Sequence, residues 1–305
     1  MSIRVTHAHG EHIAVTAANG TEILRYVYRP DPEAFESRKP YAHPVRTLAG
    51  YTVTGYRPSD HRWHKGLQMT ASHLSGQNFW GGNCYVRGQG YLPLPERVGS
   101  MRHDGFPVFA VEDDRLTVAE ELTWIENGGE EWAREVRGLT VHSVDEEAGA
   151  WALDWSIRLT NTRAEPLRFG SPTTEGREMA GYTGLQWRGP RDFTGGTAFA
   201  PGSDADAEKL MGSQSPWLAF TTEHDDIDGH STLVFAHAPE NLRALHESHW
   251  FVRSEPIPTV AFSWAFFEEF ELPPGESFAY RYRVVFADGV WDRERVAAHL
   301  EAMPW

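Results

Sequence analysis

Cysteine is nearly absent from this 305-residue chain. Cys84 is the only one, so no intramolecular disulfide can staple the fold, and a reducing compartment fits. Basic residues are also scarce: Lys and Arg number 28 against 43 Asp and Glu, for a net charge of −15. A chain this acidic lacks the basic footprint that nucleic-acid phosphates require, and an anionic membrane surface would repel it. A small anionic substrate is still open to it, because a local arginine cluster can override the global field. No apolar run approaches the roughly 20 residues needed to span a bilayer, and the N-terminal Met-Ser-Ile-Arg-Val-Thr-His has no apolar signal core. A cytoplasmic protein is expected. Phosphate-cradling glycine loops, a G-x-S-x-G elbow, internal repeats, low-complexity segments and a dividing linker are all missing. One domain over residues 1–305 follows.

Aromatic residues are abundant, with 12 Trp, 10 Tyr and 16 Phe. They suit half-buried pleated surfaces and sugar-stacking sites. Trp151, Leu153, Trp155, Ile157 and Leu159 alternate with Ala152, Asp154, Ser156, Arg158 and Thr160, the period of two of a strand with one buried face. Leu116, Val118, Leu122 and Trp124 share a face in the same way, with Glu120 interrupting it. Further strands are predicted at Ile3–Thr6, His12–Ala17, Glu22–Tyr28, Val45–Ala49, Glu131–His142, Trp217–Thr222, Ser231–Ala236, Val260–Leu272 and Phe278–Phe286. Asn19-Gly20 marks a hairpin. The proline-rich stretch Arg29–Pro44 reads as a loop wrapping the surface, and Pro172–Pro216 has little periodicity. Only the end reads as helix, with Asp288 as a cap and Val296, His299, Leu300 and Met303 at helical spacing. The pattern predicts an all-β chain, a large antiparallel β-sandwich with a short C-terminal helix.

Three constellations could carry chemistry. The densest runs from Ser59-Asp60-His61-Arg62-Trp63-His64-Lys65-Gly66-Leu67 through His73 to Asn78-Phe79-Trp80-Gly81-Gly82. Its imidazoles are acid/base groups near neutral pH. His61, His64 and His73 could also hold a divalent metal, or be ordinary loop and core histidines. The second is Thr173-Thr174-Glu175-Gly176-Arg177 with Tyr182-Thr183-Gly184-Leu185-Gln186-Trp187-Arg188. Here a carboxylate and fork-shaped arginine donors could meet hydroxyls, or Glu175 and Arg177 form a weak surface pair. The third is His246-Glu247-Ser248-His249-Trp250-Phe251-Val252-Arg253, where Trp250 is a sugar platform or a core filler. Cys84 reads as a small buried residue.

Asp60-His61-x-x-His64-Lys65-Gly66-Leu67 resembles the D-H-x-x-H-[RK]-G-L block of the PmoA-like family of bacterial proteins. Asn78-Phe79-Trp80-Gly81, Tyr182-x-Gly184-Leu185-x-Trp187-Arg188 and Pro274-Gly275-Glu276…Tyr282-Arg283-Val284-Val285…Asp288-Gly289 are similar to further blocks of it. The similarity runs from about residue 45 to the end. It implies a supersandwich like that of galactose mutarotase and an association with carbohydrate catabolism. From the residues, His61, His64 and Glu175 are the expected acid/base groups. His73, Trp80, Arg177, Gln186, Arg188, Trp250 and Arg253 are the expected contacts to a small-molecule carbohydrate. The expected reaction is a mutarotase-, epimerase-, lyase- or hydrolase-like step, with no cofactor beyond a divalent metal on the histidines. Non-catalytic carbohydrate binding or sensing is one alternative, a metal-dependent hydrolase or lyase using the histidine cluster is another, and a homo-oligomer is compatible with each.

Overall fold

The alternation that starts at Trp151 is the spine of the molecule. In the computed structural model, which describes residues 2–203, 207–244 and 246–305, Trp151, Leu153, Trp155, Ile157 and Leu159 all point into the core. The strands run β1 (Arg4–Ala8), β2 (His12–Thr16), β3 (Glu22–Val27), β4 (Tyr41–Val45), β5 (Leu67–Thr70), β6 (His73–Leu74), β7 (Cys84–Val86) and β8 (Gly90–Leu92). Then come β9 (Ser100–Glu112), β10 (Arg115–Ile125), β11 (Glu131–Asp145), β12 (Ala150–Asn161), β13 (Leu167–Gly170), β14 (Gly184–Arg188) and β15 (Thr197–Phe199). The last are β16 (Trp217–Glu223), β17 (His230–His237), β18 (His249–Arg253), β19 (Thr259–Ser263), β20 (Phe270–Leu272) and β21 (Ser277–Asp288).

Two eight-stranded antiparallel sheets form, in the orders β1-β2-β3-β4-β5-β14-β19-β18 and β15-β16-β17-β21-β12-β11-β10-β9. Their inner faces share one core. Trp187 packs on Phe220 and Phe235, Tyr26 on Trp155, and Phe262 on Tyr282. This is the expected sandwich. The outer face of the second sheet is covered by the C-terminal segment, through Trp291 and Val296. Among the described residues no helix is long and apolar enough to cross a membrane.

Several boundaries differ from the sequence pattern, each for a physical reason. Asp288 ends β21 and accepts from the Ala49 amide; the helix α2 (Arg293–Glu301) follows a four-residue α1 (Ala207–Leu210) and is capped instead by Asp292, which accepts from Arg295 N at 2.8 Å. The proline-rich stretch is no surface wrap. It carries β4, and Glu36, Ser37 and Lys39 are sealed inside. The strand expected at Val45–Ala49 lies earlier in the chain: β4 ends at Val45, where the expected strand begins. Val260–Leu272 is two short strands split by a turn. Edge strand β9 has no apolar alternation because most of it is exposed. β14 escaped notice because both its faces are buried, which erases the inside-outside contrast.

Candidate active site

Period-two geometry on four adjacent strands builds the floor of the site. In β5, β14, β19 and β18, Leu67, Met69, Leu185, Trp187, Val260, Phe262, Trp250 and Val252 belong to the core. The residues between them face outward: Gln68, Gln186, Arg188, Thr259, Phe251 and Arg253. Gln68 donates to Gln186 Oε1 at 2.9 Å, and Gln186 donates to Thr259 Oγ1 at 3.2 Å, so the floor is a connected amide and hydroxyl row.

Two loops stand over this floor as a wall. The loop from Asp60 to Gly66 runs into β5, and Gly66 is needed there. Its φ is +60° and an added Cβ would lie 2.2 Å from Ala42 O. The loop Asn78–Gly82 is folded by Asn78, whose Oδ1 accepts from the amides of Trp80 at 2.8 Å and Gly81 at 2.9 Å. Gly82 lies flat on Trp63, with an added Cβ only 2.4 Å from the indole. Gly81 and Gly82, both against Trp63, therefore lock the loops together, and the wall presents His61, Trp63, His64 and Trp80.

Charge sealed behind the wall holds it in place. Glu36 receives Arg57 at 2.6 Å and Lys65 at 3.2 Å. Burial alone would raise its carboxyl, but Arg57 and Lys65 outweigh that and hold it below the usual range. Burial lowers the Lys65 ammonium to about 8 despite Glu36. Lys39 donates to Trp80 O at 2.8 Å, and burial lowers its pKa well below the ordinary value. Nothing in the sequence pattern marked Glu36 or Lys39, since buried charge has no periodic signature.

The half-open cavity has a volume of about 370 Å³ and is lined by His61, Trp63, His64 and Trp80 on the wall and Gln186, Phe251, Arg253 and Thr259 on the floor. Tyr91, Tyr182 and Arg177 close the far side. The aromatic rings form a continuous belt. His61 and His64 centroids lie 4.9 Å apart, His64 meets Trp80 edge-on at 5.5 Å, Trp80 meets Tyr182 at 4.5 Å, and Tyr182 meets Phe251 at 5.5 Å. The Tyr182 and Tyr91 hydroxyls are 2.7 Å apart.

Both wall imidazoles are held uncharged. Burial lowers His64 well below its ordinary value, and His61, Arg188, Lys39 and Lys65 add to the effect. Burial also lowers His61, against the pull of Asp60 at 3.5 Å. His64 is 3 % exposed, and its Nδ1 has no hydrogen-bond partner among the described residues. An uncharged imidazole with a free nitrogen can accept a proton.

The residues singled out from the sequence divide into three groups. His61, His64, Trp80, Arg177, Gln186 and Arg253 line the cavity. Arg188 shares the outward face but lies beneath it, fully buried. Trp250 sits one register step away on the opposite face, 0 % exposed, packed on His237 and Phe262 and donating to Ser215 Oγ at 2.7 Å. His73 and Glu175 pair with each other at 3.6 Å in a separate groove with Arg168, Glu269 and Glu271. Glu175 therefore does not join the two wall imidazoles, and His73 does not complete a three-histidine set with them. Among the described residues no group of three or more His, Cys, Asp or Glu side chains is arranged to hold a metal ion. Asn83, Tyr91, Ile257 and Thr259 also line the cavity, and no local motif flagged them. Arg253 had drawn notice, but only strand parity on β18 tells it from Trp250.

Residues 14–301 match the model of a family described as a family of unknown function (DUF6807). No curated protein matches the chain. Among solved structures, a GH36 alpha-galactosidase from Geobacillus stearothermophilus is similar at TM-score 0.44 and 13 % identity, over 95 % of this chain and 41 % of that one. An alpha-galactosidase from Lactobacillus brevis is similar at TM-score 0.40 and 9 % identity, over 98 % and 41 %. The chain thus spans about two fifths of the length of these two enzymes. A galactose mutarotase related enzyme from Lactobacillus acidophilus is similar at TM-score 0.36 and 7 % identity, over 93 % of this chain and 97 % of that one.

Proposed function

The chain belongs to DUF6807, a family of unknown function, and from its site we propose that it is an enzyme that binds a sugar ring and moves a proton at it through His61 and His64. The observation that carries this reading is the pair of uncharged imidazoles, 4.9 Å apart, in an aromatic-belted cavity of about 370 Å³. Pockets of this size take small ligands, and aromatic faces beside amides and guanidinium forks suit a ring edged with hydroxyls. The PmoA-like resemblance of the motif blocks, with its association to carbohydrate catabolism, points the same way.

One uncharged imidazole takes a proton from a hydroxyl or an acidic carbon of the sugar. The imidazolium it becomes is the acid that hands the proton to the departing oxygen, so one proton serves both halves of the step. Arg188 beside both rings disfavours the cation and promotes that return. Mutarotation and elimination fit this proton traffic; epimerisation would have the second imidazole return a proton to the opposite face of the carbon.

A second reading, binding without turnover, is favoured by one observation. Among the described residues Asp60 is the one carboxylate lining the cavity, and it is paired with Arg191 at 3.1 Å. Thermal shift over a sugar panel finds ligands, because a molecule that binds only the folded state raises its melting point. Proton NMR of each stabilising sugar then follows anomer exchange, epimers and elimination products. The enzymatic reading expects product, and His64→Gln to slow its formation by about 100-fold or more with the ligand still bound. Stabilising sugars that are never converted would leave binding alone.

A further inference from the structure

We propose that the ligand of this cavity carries an oxyanion, a carboxylate or phosphate attached to the sugar, recognised by guanidinium groups on the outer face of the first sheet. The inference rests on the sugar-binding reading above and narrows its substrate class.

Strand register supplies the first argument. Arg188 and Arg253 both pair with Thr259, on opposite sides of it. They face the same way from strands two positions apart, so their backbones are about 10 Å from each other. Arg177 reaches the same region from its loop, with its guanidinium 4.8 Å from the centroid of Tyr91. Arg253 lies 5.4 Å from the centroid of Phe251, and the Arg177 charge bears on it. Arg177 and Arg253 thus line one hollow, and Arg188 lies beneath its floor.

The second argument is the missing counter-charge. Among the described residues no carboxylate lies within ion-pair distance of Arg177, Arg188 or Arg253, although 43 Asp and Glu are available and most other arginines have one. Arg188 is the sharpest case. It is 0 % exposed, its Nε donates to Gly189 O at 3.1 Å, and both Nη atoms are buried with no hydrogen-bond partner among the described residues. Burial lowers its charge affinity to a pKa of about 10, with only the more distant Asp60 opposing. Idle buried guanidinium nitrogens are costly. In a chain of net charge −15, a cationic hollow is a local construction, and an incoming anion completes it. Carboxylate and phosphate both match the guanidinium fork.

The test is calorimetry on the full chain at pH 7.5 and 150 mM NaCl, with tryptophan fluorescence in parallel because Trp63 and Trp80 line the cavity. The probes are methyl glucoside, methyl glucuronide, glucose 6-phosphate, methyl galactoside, galacturonate, galactose 6-phosphate and inorganic phosphate. One acidic sugar should bind about tenfold or more tighter than its neutral parent, and whether it is the uronate or the phosphate ester assigns the anion. Arg253→Met and Arg177→Met, with melting points kept, should each erase most of that preference, and Arg253→Lys should keep part of it. Neutral sugars binding as tightly as their acids would overturn the anion and leave the sugar reading standing. Inorganic phosphate binding with no sugar bound would keep the anion and overturn the sugar reading. Binding of none would overturn both.

Discussion

Replacing Glu36 by Gln tests whether buried charge holds the wall of the cavity. The substitution preserves side-chain size and deletes one negative charge from a carboxylate that is 0 % exposed and receives Arg57 at 2.6 Å and Lys65 at 3.2 Å. Lys65 cannot turn to water, because it is buried itself, and burial already holds its pKa at about 8. Stripping one partner from a buried pair typically costs about 3–5 kcal/mol, since the remaining charge stays desolvated without its counter-ion. A chain of 305 residues has an unfolding entropy of about 0.6 kcal/mol/K, so Glu36→Gln should lower the melting midpoint by about 5–8 °C at pH 7. The pH dependence adds a second check. The unfolded chain holds the Lys65 proton up to about 10.4, whereas the folded pKa is depressed, so the fold gains stability as pH rises above the folded value. Without Glu36 that folded value falls below 8, and the variant starts gaining at lower pH than the wild type. The gap between them should therefore narrow from pH 6 to pH 9. Thermal melts followed by tryptophan fluorescence across that range decide the matter. A midpoint drop under about 2 °C at pH 7, or a gap that widens with pH, would refute the reasoning.

Two further predictions concern residues on the other side of the first sheet. Trp250→Phe should lower stability by about 1–3 kcal/mol in urea titrations through the cavity left and the lost Ser215 contact, with the affinity of any cavity ligand unchanged; a tenfold loss of affinity would return Trp250 to the binding surface. His237 is set at a pKa of about 3 by burial, so the unfolded chain takes up its proton first and stability falls as pH drops below about 6.5. By pH 5 this one group should cost about 2 kcal/mol, and His237→Phe should flatten the denaturation-versus-pH curve by that amount; an unchanged slope counts against a buried neutral imidazole.

How legible each part was depends on whether its cause is local. The sandwich was readable because alternation along Trp151–Leu159 and Phe278–Phe286 is a property of neighbouring residues. The wall was readable because Asp60–Gly66 and Asn78–Gly82 concentrate histidines, tryptophans and close-packing glycines within about two dozen positions. The floor was only half readable. Gln186, Arg188, Trp250 and Arg253 were visible as chemistry, but in a strand buried on both faces the sequence does not say which parity looks into the core. Glu175 shows the opposite failure: its carboxylate stood in a glycine-rich setting that looked functional, yet it folds into the groove of His73.

Composition and short-range pattern alone determined that this chain is an all-β sandwich without disulfides, and that its histidine-rich loop is unusual. Tertiary structure alone decided that Trp250 faces inward while Phe251 and Arg253 face the cavity, that Glu36 and Lys39 lie sealed behind the wall, and that Arg188 is buried without a counter-charge among the described residues. The physical reason is that periodicity is written between adjacent residues. Strand register and the pairing of charges are settled between residues a hundred or more positions apart, and no local signal carries them.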